Sequence, residues 1–394
     1  NDNILLDYIM VDELYTASQK MEYYAQSENR LTELYIEALT NPTTSNKIID
    51  IAESNNWIND DFIVVLFHAG LGQDLGSPGF DPTIYDIHSA YIDSDMILNS
   101  SSIQASSFTI TNTDPESENF NKNRIISDGV LLPETLNPIY YDVIEDMYNI
   151  SLIDKDDLTD VYCFFQTGMT GLFAYLLGYR LCMPPMHSTD NIYPVTRIGR
   201  FGLMDYGAYN RHGLIPAPPN IWTRTKHQQL LSNQAINITN DIFENYDEGI
   251  TLTIGSNLDD IYRIDITNDE YFLIEHRSNL IRNNSLLEDL GDAKYSIDGI
   301  IKYLDCNPEY SSCDLNIQNN LKSKLPIDFE NITKDYDRYW LDIIKLLYDN
   351  DDFEFMDPNG VIVNFPDYDH GLPGSGILIW HIKEPPLGTF YDGI

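Results

Sequence analysis

Gly168-Met169-Thr170-Gly171-Leu172-Phe173-Ala174-Tyr175-Leu176-Leu177-Gly178-Tyr179-Arg180-Leu181-Cys182-Met183-Pro184-Pro185 is the stretch on which the reading of the fold turns. From Gly168 to Met183 the only charged residue is Arg180. A helix with so little polarity has no face to offer water, so it is expected to be buried nearly all round. Downstream, residues 184–225 are rich in Gly and Pro and read as a long ordered loop region. Upstream, residues 134–182 carry helical spacing, whereas 93–130 are polar and read as irregular hairpins and loops. Asp61–Phe67 reads as a buried strand feeding the Gly-punctuated loop His68-Ala69-Gly70-Leu71-Gly72-Gln73-Asp74. Residues 5–40 repeat apolar positions at three- and four-residue steps and read mainly as helix, stopped by Asn41-Pro42. Toward the C-terminal side the texture turns to strands at Ile250–Ile254, Ile261–Ile266, Tyr271–His276 and Gly376–Ile382. A polar insertion over about 281–360 carries one helix, 335–348.

A chain of 394 residues with 43% hydrophobic content can bury a substantial core, and its length suggests two or three domains. Its 23 basic and 62 acidic residues leave a net charge of −39. Such an excess repels phosphate backbones and anionic lipid, which argues against nucleic-acid and peripheral-membrane roles. No apolar run approaches the ~18 residues that a membrane-spanning helix requires. Both ends read as cut, so a larger precursor is expected.

Searching for a nucleophile or phosphate cradle yields nothing specific. Gly374-Ser375-Gly376 lacks the outer glycine of a nucleophile elbow, and no P-loop or dinucleotide fingerprint is present. Two other segments carry more. Phe201-Gly202-Leu203-Met204-Asp205-Tyr206-Gly207-Ala208-Tyr209-Asn210, followed by Gly213-Leu214-Ile215-Pro216-Ala217-Pro218-Pro219, resembles a stretch of the immune inhibitor A-type family of secreted zinc metalloproteases. There it follows the zinc helix and includes the Met-containing turn beneath the metal. Tyr271–Arg277 and Pro373–Ile382 look like two further hallmarks of that family, and Phe67-His68-Ala69-Gly70 is similar to its strand-loop before the zinc helix. These anchors occur in the family's order from about residue 60 to 382.

The resemblance implies an α+β fold, with a zincin-like metalloprotease domain over 1–240 and a β-rich C-terminal part over 241–394. Family members carry His-Glu-x-Gly-His-x-x-Gly-x-Pro-Asp. Histidines at i and i+4 share a helix face and grip Zn²⁺, the Glu is the general base, and a third ligand turns in after the helix. Anchored on Pro184 and on Thr189-Asp190, the family's helix lies at 168–183 here, and the ligand positions hold Tyr175, Tyr179 and Pro185. Leu176 stands where the base would be, while Gly178 and Pro184 match. Neutral phenols do not replace imidazoles as zinc ligands, and leucine takes no proton from water. The eight histidines include no i, i+4 pair. A rebuilt metal site would need scattered residues such as His68, His187 and His212.

Cys306 and Cys313 bracket a polar loop and are expected to be bridged if the compartment is oxidising. Cys163 and Cys182, at the two ends of an apolar segment, are expected as reduced core thiols. Sequons begin at Asn99, Asn149, Asn237, Asn283 and Asn331 and favour export. Structural calcium is implied by the family likeness, with Asp154–Asp157, Asp349–Asp352 and Asp367–Asp369 as oxygen-rich clusters. The function expected is that of an extracellular or cell-surface protein that retains the protease scaffold without its chemistry and binds a protein or surface partner. Two rivals stand beside it. One is an active secreted metallopeptidase with a rebuilt metal site, the other a self-assembling subunit of a surface layer or filament.

Overall fold

Leu31, Leu34, Tyr35, Ala38 and Leu39 recur at helical spacing and are all buried, and around them the first of two compact units is built. The computed structural model describes residues 8–59, 61–75, 85–100, 103–136, 167–187, 195–226, 236–237, 261–281, 296–304, 314–325, 336–348 and 367–384. The units are Leu5–Leu152 with Tyr175–Cys182, and Ile153–Ala174 with Met183–Gly393. The boundary expected at 240/241 falls outside the described residues, as does the strand expected at 250–254.

In the first unit, α1 (Met21–Tyr24), α2 (Glu28–Thr40) and α3 (Pro42–Ser54) follow one another. Residues 8–20 are not helical, so helix begins later than the apolar periodicity suggests. Asn41-Pro42 stops one helix and starts the next. The Asn41 side chain accepts from Thr43 N at 3.0 Å, and Pro42 sits in the first turn, where its missing N–H costs nothing. Strand β1 (Val65–Leu71) starts four residues after Asp61, and Phe67 is 57% exposed, contrary to a fully buried strand. Its position fits this: among the described strands the sheet order is β1-β5-β2, which puts it at an edge. Central β5 (Gly129–Thr135) pairs parallel with β1 and antiparallel with β2 (Ala90–Ile92). A side chain at Gly129 would collide with the Tyr35 ring, whose hydroxyl donates to Val64 O at 3.0 Å. The polar 93–130 region contains α4 (Ser94–Asn99) and a hairpin of β3 (Phe108–Thr111) and β4 (Asn123–Ile126). Ile97, Phe108, Ile110 and Ile126 thereby join the core of α2 and α3.

Helix α5 (Thr170–Arg180) forms where the sequence places it, and every residue after Thr170 is buried or half-buried. The second unit continues through a loop-rich stretch to α6 (Ile221–Lys226). A four-stranded sheet follows, β6 (Ile236–Asn237), β7 (Tyr262–Asp265), β8 (Glu270–Arg277) and β9 (Gly376–Lys383), ordered β6-β7-β8-β9. Pairing is antiparallel except between β6 and β7. Among its described residues, the region read as a polar insertion with one helix holds three: α7 (Ile297–Leu304), α8 (Leu315–Lys324) and α9 (Tyr336–Tyr348). Ile297, Ile300, Ile301, Leu304, Leu321, Trp340, Ile343 and Ile344 pack there as a shared core. The fold is mixed α and β, with mainly antiparallel sheets and segregated helices, in line with the α+β expectation. Among the described residues no helix is long and apolar enough to cross a membrane.

Candidate functional site

Tyr175 and Tyr179, four residues apart, share one face of α5, and their hydroxyls lie 2.6 Å from each other. The rings meet edge to face with centroids 5.2 Å apart. Tyr91 of β2 stacks on Tyr179 at 5.9 Å, with the planes 16° apart. The Tyr91 hydroxyl in turn donates to Asp128 Oδ2 at 2.9 Å, and Arg180 Nε meets the same oxygen at 3.1 Å. The strand side of this cluster, Tyr91 and Asp128, carried no sequence signal. A lone Tyr in a short strand and an Asp before a Gly are too common to single out.

Electrostatics favour the neutral form of Tyr179 and of Tyr91. Burial raises the Tyr179 pKa above its ordinary value, although the Tyr175 hydroxyl opposes the rise. Burial, followed by the charge of Asp128, pushes Tyr91 far up. Leu176 is buried at 5% exposure and Gly178 is also buried. The face therefore offers hydroxyl hydrogen bonds and aromatic surface. The carboxylate nearest this face among the contacts described, Asp128, is taken up by the Tyr91 hydroxyl and Arg180.

The other anticipated residues are placed as follows. Pro184 and Pro185 are half-buried. Met204 is fully buried in its own unit, its carbonyl accepting from Met186 N at 2.8 Å. His68 is buried on β1, its Nδ1 3.1 Å from Ala69 O. Burial holds its pKa below the ordinary value, partly offset by the Ala69 carbonyl. His187 forms an isolated backbone bridge to Thr196, and His212 is exposed in a left-handed conformation. Among the described residues, these three histidines included, no three His, Cys, Asp or Glu side chains gather as a metal site requires.

Cys182 is exposed rather than a core thiol. The chain turns left-handed there (φ 57°) as it leaves α5, which swings the side chain outward. Cys163, Cys306 and Cys313 lie outside the described residues, as do Asn149, Asn283 and Asn331 and the acidic clusters at 154–157 and 349–352. Asn99 is exposed at the end of α4, and Asn237 lies on β6. In the remaining acidic cluster, Asp369 is clamped by Arg277, with Nε to Oδ2 at 2.8 Å, and Asp367 Oδ1 accepts from Asp369 N at 2.9 Å. Those carboxylates are already committed.

The two family-like segments Tyr271–Arg277 and Pro373–Ile382 become the adjacent strands β8 and β9. The first of them supplies Glu275 and Arg277, half of a buried quartet of charges completed by Arg224 and Asp369, and the second contributes the Trp380 indole that donates to it. Arg224 Nη2 meets Glu275 Oε2 at 2.6 Å, Arg277 Nη1 lies 3.5 Å from the same oxygen, and Arg277 grips Asp369. Trp380 Nε1 donates to Glu275 Oε1 at 3.0 Å. Two positive and two negative groups cancel, and mutual pairing is what makes their burial tolerable. Comparison with family models, with curated proteins and with solved structures found no match.

Proposed function

We propose that the chain is a catalytically inactive, zincin-like relative of the immune inhibitor A-type proteases that works outside the cell or at its surface as a binding module. The observation that carries this reading is the 2.6 Å hydroxyl pair of Tyr175 and Tyr179. The two positions that would present zinc-binding imidazoles present neutral phenols bonded to each other. Leu176, at the base position, is buried. An empty polar hollow inside a protein is costly, and bulky aromatics with paired hydroxyls relieve that cost. The exposed sequon at Asn99 supports an exported protein. Structural calcium remains part of the proposal through the family likeness, and it would use carboxylates other than Asp369.

Elemental analysis and a peptidase assay on the purified protein test the reading. The expected result is no stoichiometric zinc and no chelator-sensitive cleavage of peptides. Bound zinc with chelator-sensitive hydrolysis would overturn it in favour of a rebuilt metal site. A variant with Tyr175→His, Leu176→Glu and Tyr179→His is expected to stay inactive, because Pro185 supplies no third ligand.

A further inference from the structure

In a chain carrying −39 net charge, one cleft of the second unit is lined by cations. It has a volume of ≈ 220 Å³, and its walls are Arg200, Tyr209, Arg211 and His212 on one side and Gly371, Leu372 and Pro373 on the other. Among the described residues that line it none is acidic, although Arg211 is paired with Asp298 beside it. Arg200 and His212 are solvent-exposed, and Arg211 is half-buried.

The backbone that presents these groups is strained and firmly held. Arg211, His212 and Gly213 are three consecutive left-handed residues, with φ of 50°, 53° and 78°. For the two non-glycine residues this conformation is uphill and persists only where the surroundings enforce it. Here Gly168 N donates to His212 O and Gly171 N to Gly213 O, both at 2.8 Å. Buried Asn210 ties the same turn to Arg200, donating from Nδ2 to Arg200 O at 2.9 Å. Arg211 is oriented by Asp298 and by the Trp340 ring, whose centroid lies 5.0 Å from its Cζ. The facing wall is equally fixed. A Cβ on Gly371 would meet Ile215 O at 2.6 Å, and the preceding Asp369 is anchored in the buried quartet. The backbone of the cleft and the Arg211 guanidinium are thus held before any ligand arrives, which lowers the entropic cost of capture.

We infer that this cleft is a binding site for a carboxylate group. Guanidinium forks match the planar carboxylate geometry, and Tyr209 adds a hydroxyl. The volume is below the ~300–1,000 Å³ of drug-sized ligand pockets, so it admits one acidic side chain or a small carboxylic acid rather than an extended cofactor. The site does not depend on the zincin-like reading, since none of its residues belongs to the tyrosine face.

Calorimetric titration with glutarate and with a blocked Glu-containing tripeptide tests the inference and separates a free acid from a polypeptide side chain. The neutral counterparts, glutaramide and the Gln tripeptide, serve as controls. Saturable binding of at least one acidic probe is expected, weakened tenfold or more in the double variant Arg200→Gln/His212→Asn. Asparagine is chosen because it tolerates the left-handed backbone at 212. Arg263→Gln, a change on the distant strand β7, is expected to leave affinity unchanged. No saturable binding of either acidic probe would overturn the inference. So would equal binding of the neutral probes, or undiminished binding by a double variant whose melting temperature shows it folded.

Discussion

If the Tyr175 and Tyr179 hydroxyls bond to each other as the 2.6 Å separation indicates, removing either one removes the same interaction. Tyr175→Phe and Tyr179→Phe should then each cost about 1 kcal/mol, the net worth of one intramolecular hydrogen bond. The double variant should cost about 1 kcal/mol as well, not 2, giving a coupling energy near 1 kcal/mol. Truncating the ring costs more. Tyr179→Ala loses an edge-to-face contact with Tyr175 and a stacked contact with Tyr91, each worth ~0.5–1.5 kcal/mol beyond buried area. Full burial would add ~3–5 kcal/mol for losing an aromatic side chain, and half-burial brings the total to about 3 kcal/mol. Urea denaturation resolves these differences, since ~1 kcal/mol moves a midpoint by roughly 0.3–1 M at ordinary slopes. Strictly additive single losses, with coupling below ~0.3 kcal/mol, would show that the hydroxyls do not meet, and the infilled-site reasoning would fall with them.

His68 is buried with its pKa lowered, so the folded state prefers the neutral ring. The stability this confers is complete above the unfolded value near ~6.5 and is lost as pH falls below it. Wild type should therefore lose melting temperature between pH ~7.5 and ~5.5 more steeply than His68→Leu, and parallel profiles would contradict the assignment. Arg277→Met strands Asp369 in a buried position and should cost about 3–5 kcal/mol by chemical denaturation. Arg277→Met/Asp369→Leu should recover more than half of that, and a double variant as unstable as the single would count against charge burial as the cause. In folded, unreduced protein a thiol reagent should label Cys182. After denaturation it should add Cys163 but neither Cys306 nor Cys313; four reactive thiols would disprove the bridge, and an inert native Cys182 its exposure.

Local pattern was a good guide wherever one element could be read by itself. The nearly uncharged 168–183 stretch gave α5, the β-branched and aromatic runs gave β8 and β9, and 335–348 gave α9 within a residue. Helix α7 escaped notice although Ile297, Ile300, Ile301 and Leu304 stand at helical spacing, because the polar segments around it set the texture of the whole region. The edge position of β1 could not be read from residues 61–67, since exposure of Phe67 depends on which strand lies beside it. The charged quartet was invisible for the same reason. Arg224, the Glu275 and Arg277 pair of β8, and Asp369 come from three places in the sequence, and each looks like an ordinary surface residue until the sheet and the turn at 367–371 are assembled.

Asp205 shows how a stretch almost without regular structure can be among the most tightly held. Its Oδ2 accepts from Thr196 Oγ1 and from the amides of Arg197, Ile198 and Gly199, at 2.9, 2.9, 2.9 and 3.1 Å, while Oδ1 accepts from Tyr206 N at 2.8 Å. The carboxylate is 3% exposed, so the chain here wraps an anion site around an anion it carries itself. The four amides converge on this one carboxylate, with Gly199 N also reaching Thr196 Oγ1 at 2.9 Å. In deuterated solvent they should exchange together, on the timescale of a single cooperative opening, and a segment that resembles a surface loop in its composition would keep time with the sheet.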